Sequence, residues 1–181
     1  VYSTSKSKNS WKNAALNLNL RHQFDSTGRE LTADLDYSGY SSNDNQSFIN
    51  ASYSPFWDSK GRTELRSALP VNIDIYSGKL DYTQPLKKEA KLEAGLKSSY
   101  VSTDNAANYY NVIGGNDQVD YDKTNRFLYK ENINAAYINY NRQFKKFGVQ
   151  AGLRFENTNL KGHQLGNEQK PGSDSSFSRT Y

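Results

Sequence analysis

His22 and His163 are the only imidazoles in this chain of 181 residues, and there is no cysteine. Neither histidine has a second ligand at metal-site spacing, nor a hydroxyl and carboxylate placed for nucleophilic catalysis. The missing thiols exclude disulfide scaffolds, CxxC zinc sites and thiol chemistry. Gly114-Gly115 lacks the strand-to-helix setting of a phosphate loop. The segment Asn116-Asp117-Gln118-Val119-Asp120-Tyr121-Asp122 gathers oxygen donors suited to calcium. It does not keep EF-hand spacing, and a solvated loop accounts for it more simply. Carboxylates recur along the chain, but linear spacing assigns no pair of them as the acid and base of a glycosidase. We therefore expect no catalytic residue, no metal and no cofactor. Trp57, Tyr109, Tyr110 and Tyr121 lie in polar segments and could stack on a sugar or a chelate, which makes them the candidate ligand contacts.

The elements that position these residues must be built from few apolar side chains. Only 35% of the residues are apolar, and Asn and Ser make up close to a quarter of the chain. Mean hydropathy is −0.92. Such a composition usually signals disorder, but 14 tyrosines and an aromatic content of 13% argue for burial or membrane contact. No run of ~18 apolar residues exists, so neither a transmembrane helix nor a signal-peptide core is present. The net charge of +4 is dispersed. Only Lys87, Lys88 and Lys91 cluster, and nucleic acid is not an expected partner. From the absence of methionine we expect a cut or processed piece of something longer.

Periodicity sets the fold class. In Ala14–Phe24 the even positions carry Ala, Leu, Leu, Leu, His and Phe, while Asn17, Asn19, Arg21 and Gln23 alternate with them. A period of two is a strand with one apolar face. The pattern recurs in Leu31-Ala33-Leu35-Tyr37, Leu92-Ala94-Leu96, Ala136-Ile138-Tyr140 and Val149-Ala151-Leu153-Phe155. Tyr76, Gly78, Leu80 and Tyr82 continue it. Ile73 and Ile75 lie on the opposite parity, so either a bulge resets the register or the strand has left its apolar surroundings there. We read six strands, at about 12–24, 31–41, 72–83, 90–102, 128–143 and 148–160, and no helix.

Short turns at 25–30, 84–89 and 145–146 alternate with long polar connections at 42–71, 103–127 and 161–176. All short turns then lie at one end of an antiparallel up-and-down meander. Loops this long are unusual in compact soluble domains but normal in outer-membrane barrels. Phe48–Tyr53 and Thr63–Leu69 flank Asp58-Ser59-Lys60-Gly61, which reads equally as an extra hairpin or an irregular loop. Phe24, Tyr82, Phe144 and Phe147 mark the short-turn level. Tyr37, Tyr76, Tyr100 and Phe155 mark a second level, as two interfacial girdles would. Lipid is the expected partner of Leu16, Leu18, Leu20, Phe24, Leu31, Leu35, Tyr37, Leu92, Leu96, Ile138, Val149, Leu153 and Phe155. His22 and Arg142 share their parity but sit near the turns, where they can snorkel.

The succession Glu30–Tyr37, Lys79–Leu86, Leu92–Lys97, Asn134–Tyr140 and Gln150–Thr158 resembles the outer-membrane β-barrel family related to TonB-dependent receptors of Bacteroidota-type bacteria. The resemblance covers roughly residues 12–160. It implies an outer-membrane location and a non-catalytic, 22-stranded barrel that takes up a small nutrient or glycan. It also implies a plug and coupling to an inner-membrane energy-transducing protein, through parts that this chain lacks. The expectation is one partial barrel segment over 1–181, with Phe177–Tyr181 opening a further strand. The competing reading is a soluble, secreted all-β module that binds carbohydrate or another ligand, because alternation looks the same when the apolar face meets a core.

Overall fold

The computed structural model covers residues 1–181. It is all-β: β1 (Tyr2–Gln23), β2 (Glu30–Tyr53), β3 (Ser59–Leu86), β4 (Ala90–Ile113), β5 (Asn116–Val119), β6 (Asn125–Gln143), β7 (Gly148–Leu165) and β8 (Ser173–Thr180). The strands form one antiparallel sheet in the order β1-β2-β3-β4-β6-β7-β8, with β5 paired to β4. β1 and β8 are not paired to each other, so the sheet is open. Of 126 backbone hydrogen bonds, 114 lie in the strand ladders, and only 6 of 181 residues are buried. Ladder pairing therefore holds the fold, because there is no second layer to enclose a core.

The six expected strands are present, but they are far longer than their alternating cores. β2 and β3 run for 24 and 28 residues, whereas a transmembrane β-strand needs about 9–11. The expected 42–71 loop is a continuation of β2 and β3 around a tip at Ser54–Asp58. This sustains the hairpin reading and removes the irregular loop. The expected 103–127 loop is likewise mostly strand, with β4 extending to Ile113 and β6 beginning at Asn125. Residues 161–165 belong to β7, and β8 starts at Ser173 rather than Phe177.

The turns at the opposite end are tight, as expected. Gly28 takes φ 92° in the first. In the second, Pro85 does not set the turn: it lies in β3, paired with Lys91, and Lys88 and Glu89 adopt left-handed φ of 64° and 52° instead. The pairing of β3 with both neighbours runs unbroken through Ile73–Tyr76, and the one β2–β3 shift is at Ser52/Tyr53. No bulge resets Ile73 and Ile75, so their parity reports a change of surroundings.

All the residues expected to contact lipid project from one face, which we call the outer face. Leu16 pairs with Tyr37, Leu18 with Leu35, Leu96 with Ala136, and Ile138 with Leu153. Most of them are strongly exposed, Leu16 by 69% and Leu153 by 77%, while Leu31, Tyr37 and Leu92 are half-buried. The apolar band they form is oblique to the pairing rows. Tyr37, Tyr76 and Tyr100 share one row, yet Phe155, four strands along from Tyr37, falls in the row of Ala33, four residues lower. A drift of about one residue per strand, with ~3.3 Å rise and ~4.8 Å strand spacing, corresponds to a tilt of about 35°, as in outer-membrane barrels.

Candidate functional site: the inner wall above the apolar band

The two faces exchange character along the strands. At the level of the band the inner face is polar. Arg154 pairs with Glu156 at 2.6 Å, and Lys79 and the Tyr137 hydroxyl both engage Asp81. Tyr137 reaches Asp81 by lying across Gly95, its cross-strand partner, where any Cβ would collide with the ring and the carboxylate. On the outer face, Tyr37 leans over Gly39 to donate a 2.9 Å hydrogen bond to Asp74. These aromatic covers over glycine satisfy polar tips across the ladder, and nothing in linear order signals them.

Above the row of Tyr37, Tyr76 and Tyr100 the pattern inverts. The outer face turns polar with Lys12, Ser41, Asn72 and Asp104, which lie in one row. The inner face turns apolar and aromatic: Trp11, Tyr40, Ile73, Ile75, Val101 and Tyr129 share it. Trp11 and Tyr40 meet with ring centroids 6.1 Å apart, and Ile73 pairs directly with Tyr40. Trp11 remains 62% exposed. The inner wall thus offers flat aromatic surface to whatever occupies the interior above the band, where polar tips and apolar bodies together suit ligand stacking.

The four aromatic residues singled out as ligand contacts do not converge. Tyr109 and Tyr110 are successive strand residues and point to opposite faces, paired with Ser67 and Arg66. Tyr109 is on the inner face, and its backbone N–H donates to Thr124 Oγ1 at 3.0 Å. Trp57 sits at the β2–β3 tip, 81% exposed at φ 65°, tilted against Tyr53 at 5.9 Å. Tyr121 belongs to the tip between β5 and β6, and its hydroxyl donates to Glu168 of the β7–β8 tip at 2.7 Å. That carboxylate pushes the phenol above its ordinary pKa. Asn167 Nδ2 donates to the Tyr121 and Thr124 carbonyls, so these two hairpin tips are tied together. Trp11, Tyr40 and Tyr129, missed by sequence reasoning, line the inner wall instead. The parity switch at Ile73 and Ile75 was the available signal.

Asp120, in the acidic segment, organises the tip. Its carboxylate accepts from the Asp122 and Lys123 backbone N–H groups at 3.2 Å and from Asn111 Nδ2 at 3.1 Å, and it pairs with Lys123 Nζ. Lys123 and these donors hold its pKa below the usual carboxylate value. His163 meets Asp174 across the β7–β8 ladder. No hydroxyl donates to that imidazole, so the pair is not a nucleophile's triad.

Residues 22–181 match the model of an outer membrane protein beta-barrel family. No curated protein sequence matches the chain. Among solved structures, the siderophore receptor PiuA from Acinetobacter baumannii superposes with a TM-score of 0.60 at 12% identity, over 96% of this chain. This chain spans 29% of that receptor's length. The ferric yersiniabactin uptake receptor FyuA from Yersinia pestis matches at 12% identity with a TM-score of 0.45, over 84% of this chain and 24% of its own. The unliganded ferric citrate transporter FecA matches at 12% identity with a TM-score of 0.43, over 95% and 33%. The open meander thus shares its fold with part of the PiuA chain. With its band, its oblique strands and a family match over most of its length, the chain is a member of the outer membrane β-barrel family and resides in the outer membrane.

Proposed function

We propose that the chain supplies wall strands to a TonB-dependent-type receptor for a small nutrient or glycan, and that the single partial segment over 1–181 carries no catalysis. The observation that carries this reading is the inversion of face polarity. Outside is apolar and inside polar over a band one membrane thick; above it the inside becomes aromatic. A wall built this way meets lipid below and presents stacking surface to a ligand entering from outside. In this reading Leu16, Leu18, Leu20, Leu35, Leu96 and Leu153 contact lipid, and Trp11, Tyr40 and Tyr109 are better placed for ligand than Trp57, Tyr110 or Tyr121. The soluble binding module is disfavoured, because nothing in the chain covers leucines that are more than half exposed. Energy coupling would come through an inner-membrane partner that touches other parts of the intact protein.

The test is ligand accumulation by cells that carry the intact protein, measured with and without a proton gradient across the inner membrane. Uptake should require both the protein and the gradient. Uptake indifferent to the gradient removes the TonB-type reading and leaves a passive barrel.

A further inference from the structure

The inner wall loses its cations above the band. Within the band it carries both signs. Lys79 and Lys97 oppose one another across the β3–β4 ladder, with Arg21, Asp81, Arg154 and Glu156 on the same face. Above the row of Tyr37, Tyr76 and Tyr100, the paired residues of this face include no lysine, arginine or histidine. The cations of the same strand segments, Lys6, Lys8, Lys12, Arg66, Lys130 and Lys161 among them, project outward instead.

The charges that remain on the upper inner wall are two carboxylates. Asp44 lies seven residues above Tyr37, and Glu131 one above Asn132, which shares the row of Tyr100. Neither has a cationic partner. Asp44 accepts from Ser7 Oγ at 2.6 Å and from Gln46 Nε2 at 2.5 Å. These donors hold its pKa below the usual carboxylate value, so it is charged at neutral pH. Around it the wall offers amides, hydroxyls and rings. Ser67, only 4% exposed, keeps an Oγ without a hydrogen-bond partner. A bound anion needs charged donors or clustered backbone N–H groups. This wall has neither, because 114 of 126 backbone hydrogen bonds are spent in the ladders. An anion that shed its water here would go uncompensated and would face the two carboxylates. A molecule without negative charge meets groups that both donate and accept, and rings that stack.

We propose that this part of the wall is a charge filter. It admits ligands of zero or positive net charge and rejects anionic chelates and acidic saccharides. The proposal rests on the receptor reading in taking this wall to meet an incoming ligand.

The experiment places a single cysteine in the intact protein, purified in detergent and otherwise free of cysteine. Two methanethiosulfonate reagents then compete, one carrying trimethylammonium and one sulfonate. The reporter Asn9→Cys lies directly opposite Asp44 on the inner face, and Ser41→Cys lies opposite Lys12 on the outer face. The ratio of the two rates cancels differences in thiol ionisation and access. A carboxylate ~6 Å away in water favours the cation over the anion by about 10-fold. The cation-to-anion ratio at Asn9→Cys should therefore exceed that of a free small thiol by about 10-fold in dilute buffer. It should shrink in about 1 M salt and fall back when Asp44→Asn is added. At Ser41→Cys it should not rise. Unchanged heat-modifiable migration on gels confirms that each variant folds. A ratio at Asn9→Cys no higher than that of the free thiol overturns the proposal, as does a raised ratio that Asp44→Asn leaves unchanged. Gradient-dependent uptake by cells of a galacturonic acid tetramer in preference to an N-acetylglucosamine tetramer also overturns it, and leaves the receptor reading standing. Uptake indifferent to the gradient removes the receptor reading without altering the reagent rates, so the two fail separately.

Discussion

A charge placed in the apolar band gives opposite results on a lipid-facing sheet and on a soluble one. Leu18 lies mid-band, 63% exposed, beside Leu35 at 58%. If this face meets water, Leu18→Arg removes exposed apolar surface and should be neutral or mildly favourable. If it meets hydrocarbon, arginine near the midplane costs about 2–4 kcal/mol. At ~1.4 kcal/mol per decade, that lowers the folded-to-unfolded ratio by about 30- to 1,000-fold. The neighbouring Asn19→Arg is the control. Asn19 is on the inner face, where its side chain already engages Asp34, so the new guanidinium would meet a carboxylate. Its expected effect is within about 0.5 kcal/mol. The assay is reversible denaturant unfolding of the intact protein in lipid vesicles, comparing midpoints at constant slope. A neutral Leu18→Arg together with a costly Asn19→Arg would refute the assignment of faces.

Three further outcomes follow from particular contacts. Gly95→Ala should cost about 1–3 kcal/mol, because its Cβ would meet the Tyr137 ring and Asp81; removing the ring in Gly95→Ala/Tyr137→Ala should recover part of the loss in a double-mutant cycle. Because the folded carboxyl of Asp120 is held below its unfolded value by Lys123, Asn111 and the turn amides, its stabilisation is fully present above the unfolded pKa and is lost as pH falls through the folded one. The hydrogen-exchange protection factors of the Lys123 and Thr124 amides, both bonded to the Asp120 carbonyl, should therefore fall in acid once intrinsic rates are divided out, and Asp120→Ala should show low protection already at neutral pH. Trp11→Ala should weaken ligand binding by the intact protein about 10-fold, an aromatic contact of roughly 1–1.5 kcal/mol, while Trp57→Ala leaves it unchanged; the reverse order would return the ligand to the hairpin tips.

The residues of the band were legible in linear order because, over 14–24, 31–37, 92–100 and 148–155, one parity is apolar and the other polar. Single strands suffice to show this, since a β-strand turns successive side chains to opposite faces. The tight turns were legible from Gly28 and from the short Lys145-Lys146 connection. The outer halves of the strands were not. From Ser38 to Asn45 the chain reads Ser-Gly-Tyr-Ser-Ser-Asn-Asp-Asn, with too few apolar residues to declare a period. Its strand character comes from pairing with Lys8–Ala15 on one side and Ala68–Ile75 on the other, a property of neighbours distant in the chain. The inner wall was hidden for the same reason. Trp11, Tyr40, Ile73 and Tyr129 are scattered over more than a hundred residues, and only the continuous ladder puts them on one face. Ile73 and Ile75 carried the hint in their reversed parity, which marks the height where the outer surroundings change from apolar to polar. The sequence by itself therefore determined which face of each strand is apolar and where the tight turns fall, because those depend on local alternation. The tertiary structure decided how far the strands rise, which aromatics line the interior and which lysines oppose one another, because those depend on register between strands.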